Sequence, residues 1–235
     1  MIIMKITAYL KNEFSVWKTH ELILLGIAIF AICINSILLK DSLIAVISAL
    51  CGIMYTILAG KGKVYCFLFG LCGSCFYSFL SWQNALYGNL LLYLCYYVPA
   101  QIIGFYRWKK NLKKDSDNEI VKASLSVKDS IICVIIALFG CVVTSFILSK
   151  LHDSNPIIDG ITTFLSILGM YLTVKRCIEQ WIVWLFVNSL SLYMWICVLL
   201  NGVKVYSTLV MWAVYVILAV YFYVEWRKEL FKKNI

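Results

Sequence analysis

The sequence predicts an all-α integral membrane protein with about eight transmembrane helices. Three observations carry that prediction. Across 235 residues the chain is 63% hydrophobic and only 14% charged, with a mean hydropathy of +0.88. Soluble domains sit near half apolar and a quarter charged, and a water-soluble fold of this length could not hide so much apolar surface. The apolar runs are long and continuous, without the alternation of period two that marks a membrane barrel. With only 2 prolines and 12 glycines, long helices are permitted, and helices pair their own N–H and C=O groups where no water can. An ordinary cytosolic enzyme, a secreted disulfide scaffold and a disordered tail are excluded.

Taken in order, residues 1–21 mix Ile2, Ile3, Ile6, Leu10, Phe14 and Trp17 with Lys5, Lys11 and Lys18. That pattern suits a helix lying in the membrane interface. No small-residue cleavage site follows, so no cleavable signal is expected. Eight apolar stretches come next, near 22–39, 43–60, 64–82, 87–106, 130–149, 157–174, 181–200 and 205–224. Each approaches the ~20 residues that cross ~30 Å of hydrocarbon as a helix. Most connections are short, as at Lys61-Gly62-Lys63, which makes neighbouring spans antiparallel. Only 107–129 is long and polar.

The basic residues test this map. With the N-terminus inside, eighteen of the 21 Lys and Arg residues fall on the cytoplasmic side, and only Lys40, Lys150 and Lys204 fall outside. A wrong span count would scramble that bias. The formal net charge of +9 therefore reads as membrane orientation and contact with anionic lipid, not as nucleic-acid binding. Four spans lie on each side of 107–129, so the two sets point the same way, as in a parallel repeat. At a shift of 118, Asp41 meets Asp159, Ser48 meets Ser166, Tyr97 meets Tyr215, Trp108 meets Trp226 and Lys110 meets Lys228. The matching order of elements supports the repeat better than these few identities.

Catalytic and metal chemistry is absent from the pattern. There is no phosphate loop, no H-E-x-x-H and no His/Cys cluster at metal spacing. His20 and His152 sit at span ends without a partner for a triad. The 10 cysteines read as small apolar packing residues, Cys72-x-x-Cys75 included. No cofactor, metal or enzyme activity is expected. No span carries a mid-membrane Asp, Glu, Lys or Arg, which argues against ion coupling.

Two faces carry polar information. Along residues 181–195, Trp181, Trp184, Asn188, Ser191 and Trp195 fall within roughly 80° of one another at 100° per residue. An asparagine deep in a span must find a partner. An interfacial tryptophan belt would explain Trp181 but not Trp184 or Asn188. In the first half, Asn89, Tyr93, Tyr97, Gln101 and Gly104 share a broad face, and Pro99 can kink the helix. Trp212 and Tyr215 offer similar rings in the last span. Gly70, Gly73, Ser74, Ser78 and Ser81 read as close helix packing. Together these describe a neutral, aromatic, amide-lined chamber that suits a flat ring with hydroxyls, or a delocalised cation held by π faces. Without arginine or lysine at depth, it suits a phosphate badly.

Tyr87-Gly88-Asn89 running to Pro99-Ala100-Gln101-Ile102-Ile103-Gly104-Phe105-Tyr106-Arg107-Trp108-Lys109-Lys110-Asn111, together with Glu179-Gln180-Trp181-x-x-Trp184-x-x-x-Asn188, resembles the PnuC family of nicotinamide riboside transporters. The likeness covers about residues 40–230, with Phe105 where a tryptophan would be expected. It implies two parallel three-helix repeats, 40–106 and 157–226, joined by a cytoplasmic linker and linking helix over 107–156. An extra span at 22–39 would precede them and a basic cytoplasmic tail at 227–235 would follow. It also implies a homotrimer of the bacterial inner membrane, uptake by facilitated diffusion and trapping by a cytoplasmic riboside kinase. The substrate would lie between Trp181, Trp184 and Asn188 on one side and Gln101 and its neighbours on the other. A same-fold carrier of thiamine or riboflavin is the alternative, and a non-transporting membrane scaffold a further one.

Overall fold

The computed structural model describes residues 19–39, 42–83, 87–114, 119–151, 155–202 and 206–232. The expected interfacial segment, up to residue 18, lies outside the described residues. Eight helices form among them: α1 (Thr19–Leu39), α2 (Leu43–Gly60), α3 (Cys66–Gln83), α4, α5 (Val127–Lys150), α6 (Pro156–Lys175), α7 (Gln180–Leu200) and α8 (Tyr206–Lys232). The fourth is continuous from Tyr87–Leu92 through a π-turn at Tyr93–Tyr97 to Val98–Lys109. Leu43–Gly60, Val127–Lys150, Pro156–Lys175, Gln180–Cys197 and Leu209–Lys232 are long and apolar enough to cross a membrane by length and composition. The chain is thus a multi-pass helical membrane protein, with helices where the apolar stretches predict them.

Local chemistry starts and stops the helices. Ser42 caps α2, its Oγ accepting from Ala45 N at 3.3 Å. Ser126 caps α5, accepting from Asp129 N at 3.1 Å and donating to Asp129 Oδ2 at 2.7 Å; such a cap satisfies N–H groups that lack an intrahelical partner. Pro156 opens α6 in the first turn, where its missing N–H costs nothing. Pro99 leaves α4 unbroken. The π-turn just before it, with Val98 N bonded to Tyr93 O, absorbs the disruption that sequence alone reads as a kink.

The turns α2–α3 and α6–α7 have the same form. Lys63 N bonds Leu58 O at 2.9 Å and Gly62 N bonds Ala59 O at 2.9 Å; Cys177 N bonds Leu172 O at 3.0 Å and Arg176 N bonds Thr173 O at 2.9 Å. Each is a Schellman closure around a left-handed residue, Gly62 at φ +69° and Arg176 at φ +65°. The linker after α4 touches both. Ile120 N donates to Gly62 O at 3.0 Å, Ala123 N to Arg176 O at 2.9 Å, and Ile178 N to Ala123 O at 2.9 Å. Since α2 and α6 both end on this linker, they run in the same direction, and so do the helices that follow each.

The two halves also clasp each other. Trp108, at the end of α4, donates Nε1 to the Thr173 carbonyl of α6 at 2.8 Å. Trp226, near the end of α8, donates to the Gly60 carbonyl of α2 at 2.6 Å. Both indoles are fully buried. The Trp108/Trp226 match, one of a few identities between the halves, is therefore a structural equivalence. Around them, Glu229 bonds Lys113 at 2.8 Å and Lys122 at 2.5 Å, while Glu119 reaches Lys113 at 3.1 Å and Lys63 at 3.5 Å. Burial lowers the Lys122 pKa despite its Glu229 partner. Burial and the nearby Glu179 push the Cys177 thiol up to about 11, so it stays protonated and unreactive at neutral pH.

Helix α5 sits apart from this core and packs on α6. Small residues allow the approach: a Cβ on Gly140 would meet the Phe164 ring, and one on Gly160 would meet Ser145. Thr144 Oγ1 spans the gap to Gly160 O at 3.0 Å. The rest of α5, including Ile131, Ile135, Leu138, Phe139 and Val142, is exposed, as a lipid-solvated helix should be.

Candidate functional site

A chamber of about 480 Å³ lies among α2, α3, α4, α6, α7 and α8, within the size range of small-molecule sites. It runs from Ala45 and Leu80, near the ends of α2 and α3 away from the linker, to Ala59 and Gln180 beside the linker turns. Among the described residues no Asp, Glu, Lys, Arg or His lines it.

One wall is built by α7. At helical spacing Trp181, Trp184 and Asn188 face inward together. Trp184 lies against Gly169, where a Cβ would stand 3.0 Å from the indole, and its Nε1 reaches Thr173 Oγ1 at 3.4 Å. Asn188 Nδ2 donates to the Tyr215 carbonyl of α8 at 3.3 Å, so one of its N–H groups ties two helices together. Trp181 packs on Phe222 at 5.2 Å between ring centroids and on Trp226 at 5.9 Å.

The facing wall is α4. Its π-turn carries Tyr93 and Tyr97, and the rings Tyr77, Tyr93 and Tyr97 follow one another at 4.4 and 4.8 Å. One turn on, Gln101 is buried against Gly70 of α3, where a Cβ would meet the amide at 2.4 Å. Only glycine leaves room for that side chain.

Among the described residues that line the chamber, two carry a buried polar atom without a hydrogen-bond partner: Gln101 Oε1 and Trp181 Nε1. Their residues are only 4% and 3% exposed. Leaving a buried donor or acceptor unmade costs about 1–3 kcal/mol. An unpaired acceptor and an unpaired donor packed in the chamber wall suit a guest that supplies both when these side chains turn to meet it.

Of the ten residues proposed from sequence, Gln101, Tyr93, Tyr97, Trp181, Trp184, Asn188, Trp212 and Tyr215 line this chamber together. Ser191 is buried on α7 but does not line it. The Asn89 side chain lies outside the described residues. Trp181 is not an interfacial belt residue; it is buried in the core. Gly70, Gly73 and Ser74 are more than packing residues, since they form part of the chamber wall. Sequence reasoning missed Tyr55, Tyr77, Ser166 and Thr173. The signal for α2 was present: Ser48, Gly52, Thr56 and Ala59 recur at helical spacing on one face.

A multi-pass helical bundle of like-directed halves enclosing a neutral, ring-walled chamber defines a small-molecule membrane transporter. The chain belongs to the nicotinamide mononucleotide transporter family, which it matches over residues 42–228. It is 33% identical over 234 residues to the nicotinamide riboside transporter PnuC of Neisseria mucosa, a match covering 96% of this chain and 88% of the relative. It is 29% identical over 233 residues to the protein of that name from Haemophilus influenzae, covering 98% and 100%. Its fold superimposes on the crystal structure of the vitamin B3 transporter PnuC with a TM-score of 0.76 at 30% identity, covering 94% of this chain and 96% of that one.

Proposed function

We propose that this chain takes up nicotinamide riboside by facilitated diffusion across the bacterial inner membrane, with both termini cytoplasmic. The family bears the name of the mononucleotide, whereas the relatives bear that of the riboside; the two solutes differ by a phosphate. The observation that favours the riboside is that no charged side chain among the described residues lines the chamber. A phosphate brought there would lose its hydration without a cation to replace it. The riboside fits the chemistry. Its flat cationic ring is attracted to tryptophan and tyrosine faces, and its carboxamide and hydroxyls both donate and accept, as Trp181 Nε1 and Gln101 Oε1 require. Trp184, Asn188, Tyr93, Tyr97, Trp212 and Tyr215 complete the proposed site, with Asn89 and Ser191 flanking it.

A carrier without energy coupling needs a downstream sink, so we assign trapping to a cytoplasmic kinase that phosphorylates the riboside. We also propose a homotrimer, with 40–106 and 157–226 as the two repeats and 107–156 as linker and linking helix. Titration of the purified full chain with nicotinamide riboside, the mononucleotide, thiamine and riboflavin tests the substrate. The riboside should bind saturably and the mononucleotide at least ~100-fold more weakly, the order of penalty for an unpaired buried charge. Equal binding of the mononucleotide, or tighter binding of thiamine or riboflavin, overturns the assignment.

A further inference from the structure

We propose that linker residues 120–123, with the Trp108 and Trp226 indoles, form the gate that closes the chamber at its linker end. The inference rests on the transport function proposed above and adds the part that must move.

The chamber extends to within a turn of the far ends of α2 and α3 and, at the linker end, to Ala59, Gln180 and Trp181 beside the two turns. Beyond Trp181 a column of rings blocks the way: Phe222 and Trp226, with Lys122 of the linker 5.1 Å over the Trp226 ring. Phe67, Trp108, Phe222 and Trp226 are among the largest fully buried side chains of the described residues. A solute leaving by this end has to part them.

The bonds that hold this closure are paired across the two halves. Each indole joins the last helix of one half to the first helix of the other, Trp108 to Thr173 O and Trp226 to Gly60 O. Each left-handed turn residue, Gly62 or Arg176, offers its carbonyl to a linker N–H, that of Ile120 or Ala123. The linker thus bonds the corresponding atom of both turns and fixes their separation. Arg176 adds Nη1 to Val121 O at 2.6 Å, a contact that offsets holding a non-glycine residue at positive φ. Moving one half against the other about this end breaks an indole bond or a linker bond. None of the linker residues or the two latch indoles lines the chamber, so their role separates from substrate binding.

Hydrogen exchange of the full chain in lipid nanodiscs, without substrate, tests the closure in W108F and W226F, which keep a buried ring and delete the N–H. Backbone amides of Ile120 and Ala123 should exchange about tenfold faster than in the parent, the effect of losing one hydrogen bond. Riboside affinity should stay within about twofold, since the ligand is not touched, and equilibrium exchange of labelled riboside across proteoliposomes should rise about threefold where opening limits the rate. Unchanged amide exchange, or faster amide exchange with unchanged or slower solute exchange, overturns the gate. Should the indole variants not fold, A123P, which removes the Ala123 donor and no buried ring, is judged by the Ile120 amide together with the same affinity and solute-exchange outcomes. The amide readout needs no solute, so absence of riboside binding in the parent counts against the substrate while the closure is still judged.

Discussion

At the scale of single residues, the chamber depends on polar atoms held ready at a cost. Gln101→Ala removes a buried, unpaired acceptor, and Asn188→Ala removes an amide that also bridges α7 to α8. Each should weaken riboside binding by about 1–3 kcal/mol, the value of a buried hydrogen bond. Thermal melting should separate them, with Asn188→Ala lowering Tm further. Normal affinity in both variants would remove the assigned site. Trp181 follows a different logic from a belt residue. Its ring belongs to the packed aromatic column and its N–H is buried without a partner, so two substitutions split its roles. Trp181→Ala should cost about 3–5 kcal/mol of stability through the cavity it leaves. Trp181→Phe should keep most of that stability and lose about tenfold in affinity, as one hydrogen bond requires. Calorimetric titration alongside thermal unfolding distinguishes the two.

At the scale of elements, the sequence anticipates the helices because a membrane makes long apolar runs nearly synonymous with spans. Eight of the ten site residues meet because two of their helices show a clear 3.6-residue polar face. What stays hidden from sequence depends on approach between helices that are remote in the chain. Nothing local to Gly70 shows that α4 comes close enough to place Gln101 against it, so Gly70 looks like any small packing residue. Nothing local to Arg176 announces a left-handed turn, because glycine, present at the matching position 62, is absent there. The π-turn at Tyr93–Tyr97 is equally silent, since one extra residue per turn leaves no mark in composition. Gly70→Ala puts the close approach to a test. The clashing atoms are the far end of a flexible amide, so the fold should accommodate the methyl while Gln101 is pushed aside. Riboside affinity should fall as far as in Gln101→Ala, and Tm should drop by no more than a few degrees. Parent affinity in Gly70→Ala would show that the Gln101 position is immaterial.

At the scale of the whole molecule, charge and apolarity are sorted onto separate parts. The linker end concentrates Lys63, Lys113, Lys122, Glu119 and Glu229 in one network, while among the described residues no Asp, Glu, Lys, Arg or His lines the chamber between the halves. Among the described residues no cluster of His, Cys, Asp or Glu offers a metal site. A carrier that couples to protons needs a group that changes charge with the substrate's passage, and a buried charge is retained only where it is used. The expected behaviour is therefore downhill flux set by the riboside gradient alone. In proteoliposomes without kinase, uptake should saturate with concentration, stop at equal riboside on both sides and be indifferent to a proton or sodium gradient of either direction. Coupling to an ion gradient of tenfold would add about 1.4 kcal/mol per ion and allow tenfold accumulation, an effect that labelled riboside resolves easily. Accumulation beyond equality that collapses with an ionophore would mean that the helix carbonyls and hydroxyls of this chamber bind an ion after all. Accumulation that appears only when a riboside kinase and ATP are enclosed would place the driving force in the chemistry that follows transport.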